Sequence, residues 1–452
     1  MSGPRLTMSV PHALEQHDHL LVTGEPGAGK STMSSYLARC LSRLWLRDDS
    51  AVDAPITEPV VPLRVSARSL DRSGSWSAVL AEAACHSFGR DQREDPDPRL
   101  FAGRFQGARW LVLVDGLDEI PDPRLRWDVI RSVAQHARLG SDYRFVVMTR
   151  ALPESELGPL RTANVGSCVI EPFGRPELEE FAIKWFTAQR VPSPAVETER
   201  FLQETSDGRL QELVRNPLLA TITAVSAVKE PERSLPASRI DLYERFCGCL
   251  AGERSGKPNP LAQLRRHHED NPELLACLRW LHRSRSEFLG TLARRRLVGG
   301  ERELRFLHQS FAEFLSAQSH AETIGDDFDE LDTWIRRGLR EAERTFALFT
   351  FAMWAARPEH DIGIVIERLL SSLDPRRLLF AGRSMAEGVS VPDNMAVRVM
   401  DRLFALVRNV SGLWADEGFE VLSALFAYPA VPLGWTHSLA TQTFDCPVGF
   451  RP

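Results

Sequence analysis

One stretch, His19–Thr32 (HLLVTGEPGAGKST), constrains the fold more than any other part of the chain. Its apolar run reads as a buried strand, the glycine-rich segment as a tight loop, and the residues after it as a helix start. Gly24, Glu25, Pro26, Gly27, Ala28, Gly29, Lys30 and Ser31 fit the pattern G-x-x-x-x-G-K-[ST] at every position, and Thr32 follows inside the helix. Each residue type has a physical reason. Glycines let the backbone curl so that successive N–H groups converge on phosphate oxygens, and the helix N-terminus adds positive potential. In such a loop the lysine, here Lys30, reaches the β- and γ-phosphates, and the hydroxyl, here Ser31, sits on Mg²⁺. A glycine turn of purely structural purpose is the competing reading; placement between a strand and a helix favours a nucleotide site.

With 452 residues the chain exceeds one ordinary core and calls for about three domains. A net charge of −6 argues against a protein that coats nucleic acid or an anionic membrane. No secretory leader is expected at the N-terminus, and the longest apolar stretch, Thr345–Ala356, is too short to span a bilayer and reads as a buried helix. Seven scattered cysteines read as reduced thiols of a cytoplasmic protein. Cys247 and Cys249 have no second ligand pair nearby and read as buried thiols. His17, His19, His267 and His268 also lack partners at ligand spacing and read as solvated positions.

Strands expected at 19–23, 60–65, 110–114, 144–149 and 168–170 alternate with helices at 30–46, 75–89, 124–138 and 153–162. That alternation is the signature of a parallel α/β sheet, ending near residue 172. Residues 173–232 read as a small helical domain. Residues 233–322 combine helices with a β-hairpin around Gly299-Gly300, the pattern of a winged helix. Residues 323–452 form a helical, irregularly repeat-like region with breaks near Pro358, Pro375 and Pro392, and a loosely ordered tail from Pro429.

Hydrolysis needs a metal-holding acid and a group that positions water. Trp110–Val114 is an apolar strand that ends in Asp115, followed by Gly116, Leu117, Asp118 and Glu119. An aspartate at the carboxyl end of a strand neighbouring the phosphate loop holds the Mg²⁺ shell, so Asp115 joins Ser31 as a metal residue. Glu119 is assigned to the water, with Asp118 in support. The plainer alternative is that these acids only cap the helix that begins near Asp122. Arg150, at the end of the fourth strand, reads as a γ-phosphate sensor or, alternatively, as an ordinary surface arginine.

Together these elements resemble the NACHT family of signal-transduction NTPases, within the wider group of AAA-like switches. The mark is the small residue after the metal aspartate with further acids behind it, as in Asp115-Gly116-Leu117-Asp118-Glu119. Similar motifs continue in order: Ile170-Glu171-Pro172-Phe173, Leu178–Phe181 with Trp185-Phe186, Asn216-Pro217-Leu218-Leu219, Leu242-Tyr243-Glu244 and Phe306–Phe314. The resemblance covers residues 18 to 320 and implies ATP and ADP with Mg²⁺ as cofactors. It implies that Pro217 packs near the adenine and that His308 touches the β-phosphate of ADP. It further implies a slow ATPase that is closed with ADP and open with ATP, self-associating in the ATP state. Taken alone, Pro217 also reads as a helix-starting proline and His308 as a core histidine.

Fewer than twenty residues precede the first strand, so no effector domain of the family's usual kind is expected there. A truncated chain, a misassigned start or a separately encoded effector are the open explanations. Two other classes compete. A small-molecule kinase needs no helical and winged-helix domains after the sheet. A DNA-binding regulator would lean on Arg294, Arg295 and Arg296, which on an acidic chain read as a solvated helix end. No Asn-Lys-x-Asp occurs in the sequence, which favours ATP over GTP.

Overall fold

The computed structural model describes residues 7–46, 55–71, 74–88, 95–120, 122–206, 208–236, 238–251, 309–326, 328, 330–410 and 412–426. The chain forms two compact units, Met1–Pro172 and Phe173–Pro452.

In the first unit, α1 (Val10–Gln16) precedes a regular alternation: β1 (Leu20–Thr23), α2 (Lys30–Trp45), β2 (Val60–Ser66), α3 (Trp76–Phe88), β3 (Arg109–Asp115), α4 (Pro123–His136), β4 (Tyr143–Thr149), α5 (Glu154–Thr162) and β5 (Gly166–Val169). The five strands are all parallel, in the order β2-β3-β4-β1-β5. The step from β1 to β2 runs one way along this order and every later step runs the other way. With right-handed crossovers, α2 must then lie on one face and α3, α4 and α5 on the opposite face.

The side chains follow that rule. Successive strand residues point to opposite faces, so Leu20, Val22, Leu111, Leu113, Val146 and Met148 pack with Leu37 and Leu41 of α2. The residues between them, Leu21, Val112, Val114, Phe145 and Val147, pack with Leu80 of α3, Ile130 of α4 and Leu160 of α5. Burial on both faces is why these strands read as continuous apolar runs.

The amino edge of the sheet is closed by ions. Arg109, the first residue of β3, donates to Glu58 at 2.6 Å and to Asp18 at 3.0 Å. Arg144 of β4 pairs with Glu58 at 3.2 Å and donates to the carbonyls of Leu14, His17 and Asp18, which ties α1 to the sheet. From there α1 runs back toward the carboxyl edge, where Thr7 Oγ1 donates to Glu171 at 3.3 Å. The sequence does not announce α1, although Ser9 accepts from the His12 N–H as its cap.

His19 is a correction. It is not solvated but 3% exposed, beside Phe145. Its Nδ1 accepts from the Phe145 N–H at 3.3 Å and Nε2 lies 3.4 Å from the Arg138 carbonyl. The geometry of one acceptor and one donor fits the neutral ring. His17 is half-buried, its ring covering the backbone of Gly166, where a Cβ would sit 2.5 Å from it.

The second unit is helical throughout its described residues. Its elements are α6 (Arg175–Ala188), α7 (Pro194–Glu204), α8 (Gly208–Val214), α9 (Pro217–Lys229), α10 (Arg239–Ala251), α11 (Gln309–Ala321), α12 (Leu331–Leu339), α13 (Glu341–Ala355), α14 (Ile362–Leu370), α15 (Pro375–Ala386), α16 (Asp393–Asn409) and α17 (Leu413–Phe426). Their apolar faces share one continuous core from Leu178 to Leu425. The expected buried helix at 345–356 matches α13 except for Ala356, which caps its end, and Phe351 and Trp354 are fully buried. Prolines punctuate the unit as expected: Asp374 caps α15 with Pro375 behind it, and Pro392 precedes α16. The motif residues Tyr243 and Ser310 are hydrogen-bonded at 2.7 Å, with Phe311 and Phe314 against the same ring. Cys247 is half-buried and reduced. The expected hairpin at Gly299-Gly300, Arg294 to Arg296, His267, His268, His308 and the tail from Pro429 lie outside the described residues. Among the described residues no helix is long and apolar enough to cross a membrane.

Candidate functional site

In an open parallel sheet, ligands bind at the carboxyl end, where neighbouring strands send their connections in opposite directions. Here that point lies between β1 and β4, and the residues singled out in the α/β unit lie around it. Gly27 and Gly29 have φ of 83° and 92°, a left-handed backbone that residues with a Cβ rarely adopt. Gly29 begins α2 with no side-chain cap, so the first N–H groups of that helix have no side-chain acceptor of their own. The rest of the loop is modestly structured. The Ala28 N–H donates to the Glu25 carbonyl at 3.1 Å, Pro26 is half-buried, and Glu25, Ser31 and Thr32 are exposed.

Lys30 curls over this loop. Its Nζ donates to the carbonyls of Gly24 at 2.6 Å and Glu25 at 2.9 Å. Burial pushes the ammonium below its usual range, opposed by the nearby Asp118 carboxylate and reinforced by Arg150. A desolvated cation held only by neutral carbonyls is well placed to exchange them for a phosphate, because charge-assisted hydrogen bonds are roughly twice as strong as neutral ones.

Ser31 Oγ donates to Asp115 Oδ1 at 3.1 Å, so the first turn of α2 meets the end of β3. The strands that lead to these residues are not adjacent: β4 lies between β1 and β3. The loop must therefore arch over the end of β4. This geometry turns Thr149 and Arg150, at that end, into the floor of the site. Hard oxygen donors such as the Ser31 hydroxyl and the Asp115 carboxylate suit Mg²⁺, which takes few protein ligands and completes its shell with phosphate and water.

Arg150 is neither a surface arginine nor a free cation. It is 5% exposed, its Nε lies 3.2 Å from Asp118 Oδ2, and its backbone N–H donates to Asp118 Oδ1 at 3.0 Å. Thr149 Oγ1 approaches the same oxygen at 3.5 Å. Asp118 is thus a buried acid that holds Arg150 in place. The capping alternative for these acids fails on geometry, because α4 is capped by Asp122, which accepts from the Arg124 N–H at 2.8 Å.

Glu119 lies in a short 3₁₀ turn, Leu117–Glu119, opened by Gly116 at φ 74°. A Cβ on Gly116 would sit 3.0 Å from the Glu119 side chain, so the glycine lets that carboxylate fold back over the strand end. Glu119 is 36% exposed, open to water, with Arg68 Nε 3.9 Å away. Pro217 belongs to the helical unit, where it is the first residue of α9 and is half-buried. Asn216 caps that helix, accepting from the N–H groups of Leu218 at 3.1 Å and Leu219 at 3.4 Å.

Two arginines of the site escape motif reading. Arg64 pairs with Asp115 at 2.6 Å and Arg68 faces Glu119. For Arg64 the sequence hints only that a charge inside the apolar strand Val60–Ser66 needs an acid near it, without saying which.

No protein-family model matches the chain, and no curated protein sequence matches it. Among solved structures it is similar to the Orc1 protein of Aeropyrum pernix in complex with DNA, with a TM-score of 0.30 and 14% identity over 68% of this chain and 78% of that one.

Proposed function

We propose that the α/β unit binds ATP and ADP with Mg²⁺ and hydrolyses ATP slowly, as a NACHT-type switch. The observation that carries this reading is the meeting of Lys30, Ser31 and Asp115 at the carboxyl end of the sheet, around two left-handed glycines. The loop N–H groups and Lys30 hold the phosphates. Ser31 and Asp115 hold the metal, which when bound neutralises charge on the transferring phosphoryl group. Glu119 orients the attacking water, and Asp118 keeps Arg150 aimed at the strand ends, where it senses the γ-phosphate.

In this reading residues 173–232 and 233–322 act as helical and winged-helix domains and 323–452 as a sensor region. Pro217 packs by the adenine and His308 reads the β-phosphate. ADP holds the closed state, and exchange for ATP shifts the population toward a form that self-associates or engages a partner effector. The similarity of the ordered motifs from Gly24 to Phe314 to that family supports these roles.

The test is the nucleotide carried by the purified protein and the behaviour of Glu119→Gln. We expect ADP, and we expect the variant to retain ATP, with turnover reduced about 100-fold and a shift to larger assemblies by light scattering. Bound GDP, or hydrolysis by the variant at the parent rate, overturns the assignment.

A further inference from the structure

Arg64 lies in the middle of β2, on the side facing α2, flanked by Leu63 and Val65 that are buried on the opposite face. Its guanidinium is fixed at two points. Nε donates to Ser34 Oγ at 2.8 Å, and Nη2 lies 2.6 Å from Asp115 Oδ2. Ser34 is fully buried in α2 and donates in turn to the Ser31 carbonyl at 3.1 Å. Ser31 Oγ takes the remaining oxygen of Asp115. Both oxygens of the acid that would serve a metal therefore already face donors, and one of these is a full positive charge.

We propose that Arg64 is a resident counter-cation of Asp115 that competes with Mg²⁺ for that carboxylate. The inference rests on the phosphate-site reading above and adds to it a determinant of metal dependence. A guanidinium and a divalent cation on one carboxylate repel each other, so Arg64 would have to draw back from Asp115 for that carboxylate to serve a metal. The side chain has somewhere to go: it is 43% exposed and its Ser34 tether is independent of Asp115. While Arg64 stays, it supplies positive charge beside the phosphates. Nucleotide is then held well without metal, and metal adds little.

The readout is the ratio of affinities for a ribose-labelled fluorescent ADP in saturating Mg²⁺ and in EDTA. The parent protein should show a small ratio. Arg64→Gln should raise it about tenfold by removing the competing charge, and Arg64→Lys, which keeps the charge, should stay within about threefold of the parent. Ser34→Ala unties Arg64 without removing it and should raise the ratio by a smaller factor; it also serves if Arg64→Gln does not fold, as judged by thermal melting. An unchanged or lowered ratio in Arg64→Gln and Ser34→Ala overturns the proposal while leaving the phosphate site standing. A folded Arg64→Gln that binds ADP under neither condition overturns it too, by making Arg64 a phosphate ligand. A parent protein that binds no ADP overturns both readings.

Discussion

Both ends of the sheet pair arginine with carboxylate, but only the carboxyl end holds a desolvated lysine with no acid bonded to it. At the amino edge Arg109 and Arg144 meet Asp18 and Glu58 and the carbonyls that end α1, so the cations are fully engaged by fixed groups. The paired acids push the Arg109 guanidinium above its usual range, and Arg109 in return holds the Asp18 and Glu58 carboxyls below theirs. At the carboxyl edge Lys30 is desolvated yet bonded only to neutral carbonyls, and burial depresses it. At the amino edge even Arg144, depressed by burial and by Arg109, has the Glu58 carboxylate 3.2 Å away. The carboxyl edge holds a cation whose environment improves when an anion arrives, which is the physical difference between a clasp and a binding site.

Breaking the contrast should produce effects of different kind and size. Lys30→Ala should lower ADP affinity at least about 100-fold by titration calorimetry, since it removes the cation aimed at the phosphates. Its melting temperature should not fall, because a desolvated charge leaves with it. Arg144→Met should do the reverse. It strands the carbonyls of Leu14, His17 and Asp18 together with part of Glu58, and should cost about 3 kcal/mol in denaturant unfolding. Nucleotide affinity of the folded protein should stay at the parent value. A large affinity loss in Arg144→Met, or a large stability loss in Lys30→Ala, would erase the distinction between the two edges.

The smallest effect concerns pH. Burial holds the His19 ring below its ordinary value of about 6.5. Between the folded and unfolded values the unfolded chain carries the extra proton, so stability is complete above about pH 6.5 and declines as pH falls toward the folded value. The slope from this one site cannot exceed about 1.4 kcal/mol per pH unit. His19→Gln, with an amide that can both accept and donate, should flatten the stability profile between pH 7.5 and 5.5. An identical slope in the variant would assign the acid sensitivity to other groups.

The strands and their helices are legible in sequence because both faces of the sheet are buried, which leaves long apolar runs punctuated by glycine and proline. Position in the sheet is not legible. Nothing in the order of Val22, Leu113 and Val146 says that β4 separates β1 from β3, since that follows from crossover handedness and packing. Asp115 and Ser31 are readable from spacing because loop chemistry fixes their local geometry. Arg64 and Arg68 are not, because their role comes from register: Ser66 lies opposite Asp115, which brings Arg64 of β2 and Arg68 of the turn after it to the acids at and just beyond the end of β3. His19 misleads for the same reason, its partners being Phe145 and Arg138, more than a hundred residues away. α1 is held by Arg144 rather than by its own propensity, and seven residues are too few to advertise a helix without that tether.

The hydrogen bond between Thr7 and Glu171 has a consequence for handling the molecule. It sets the point where the chain comes into the α/β unit beside the point where it leaves. A unit with neighbouring ends behaves as a cassette: it can be transplanted into a surface loop of a host protein through two short linkers, or closed with a short peptide and reopened elsewhere as a circular permutant.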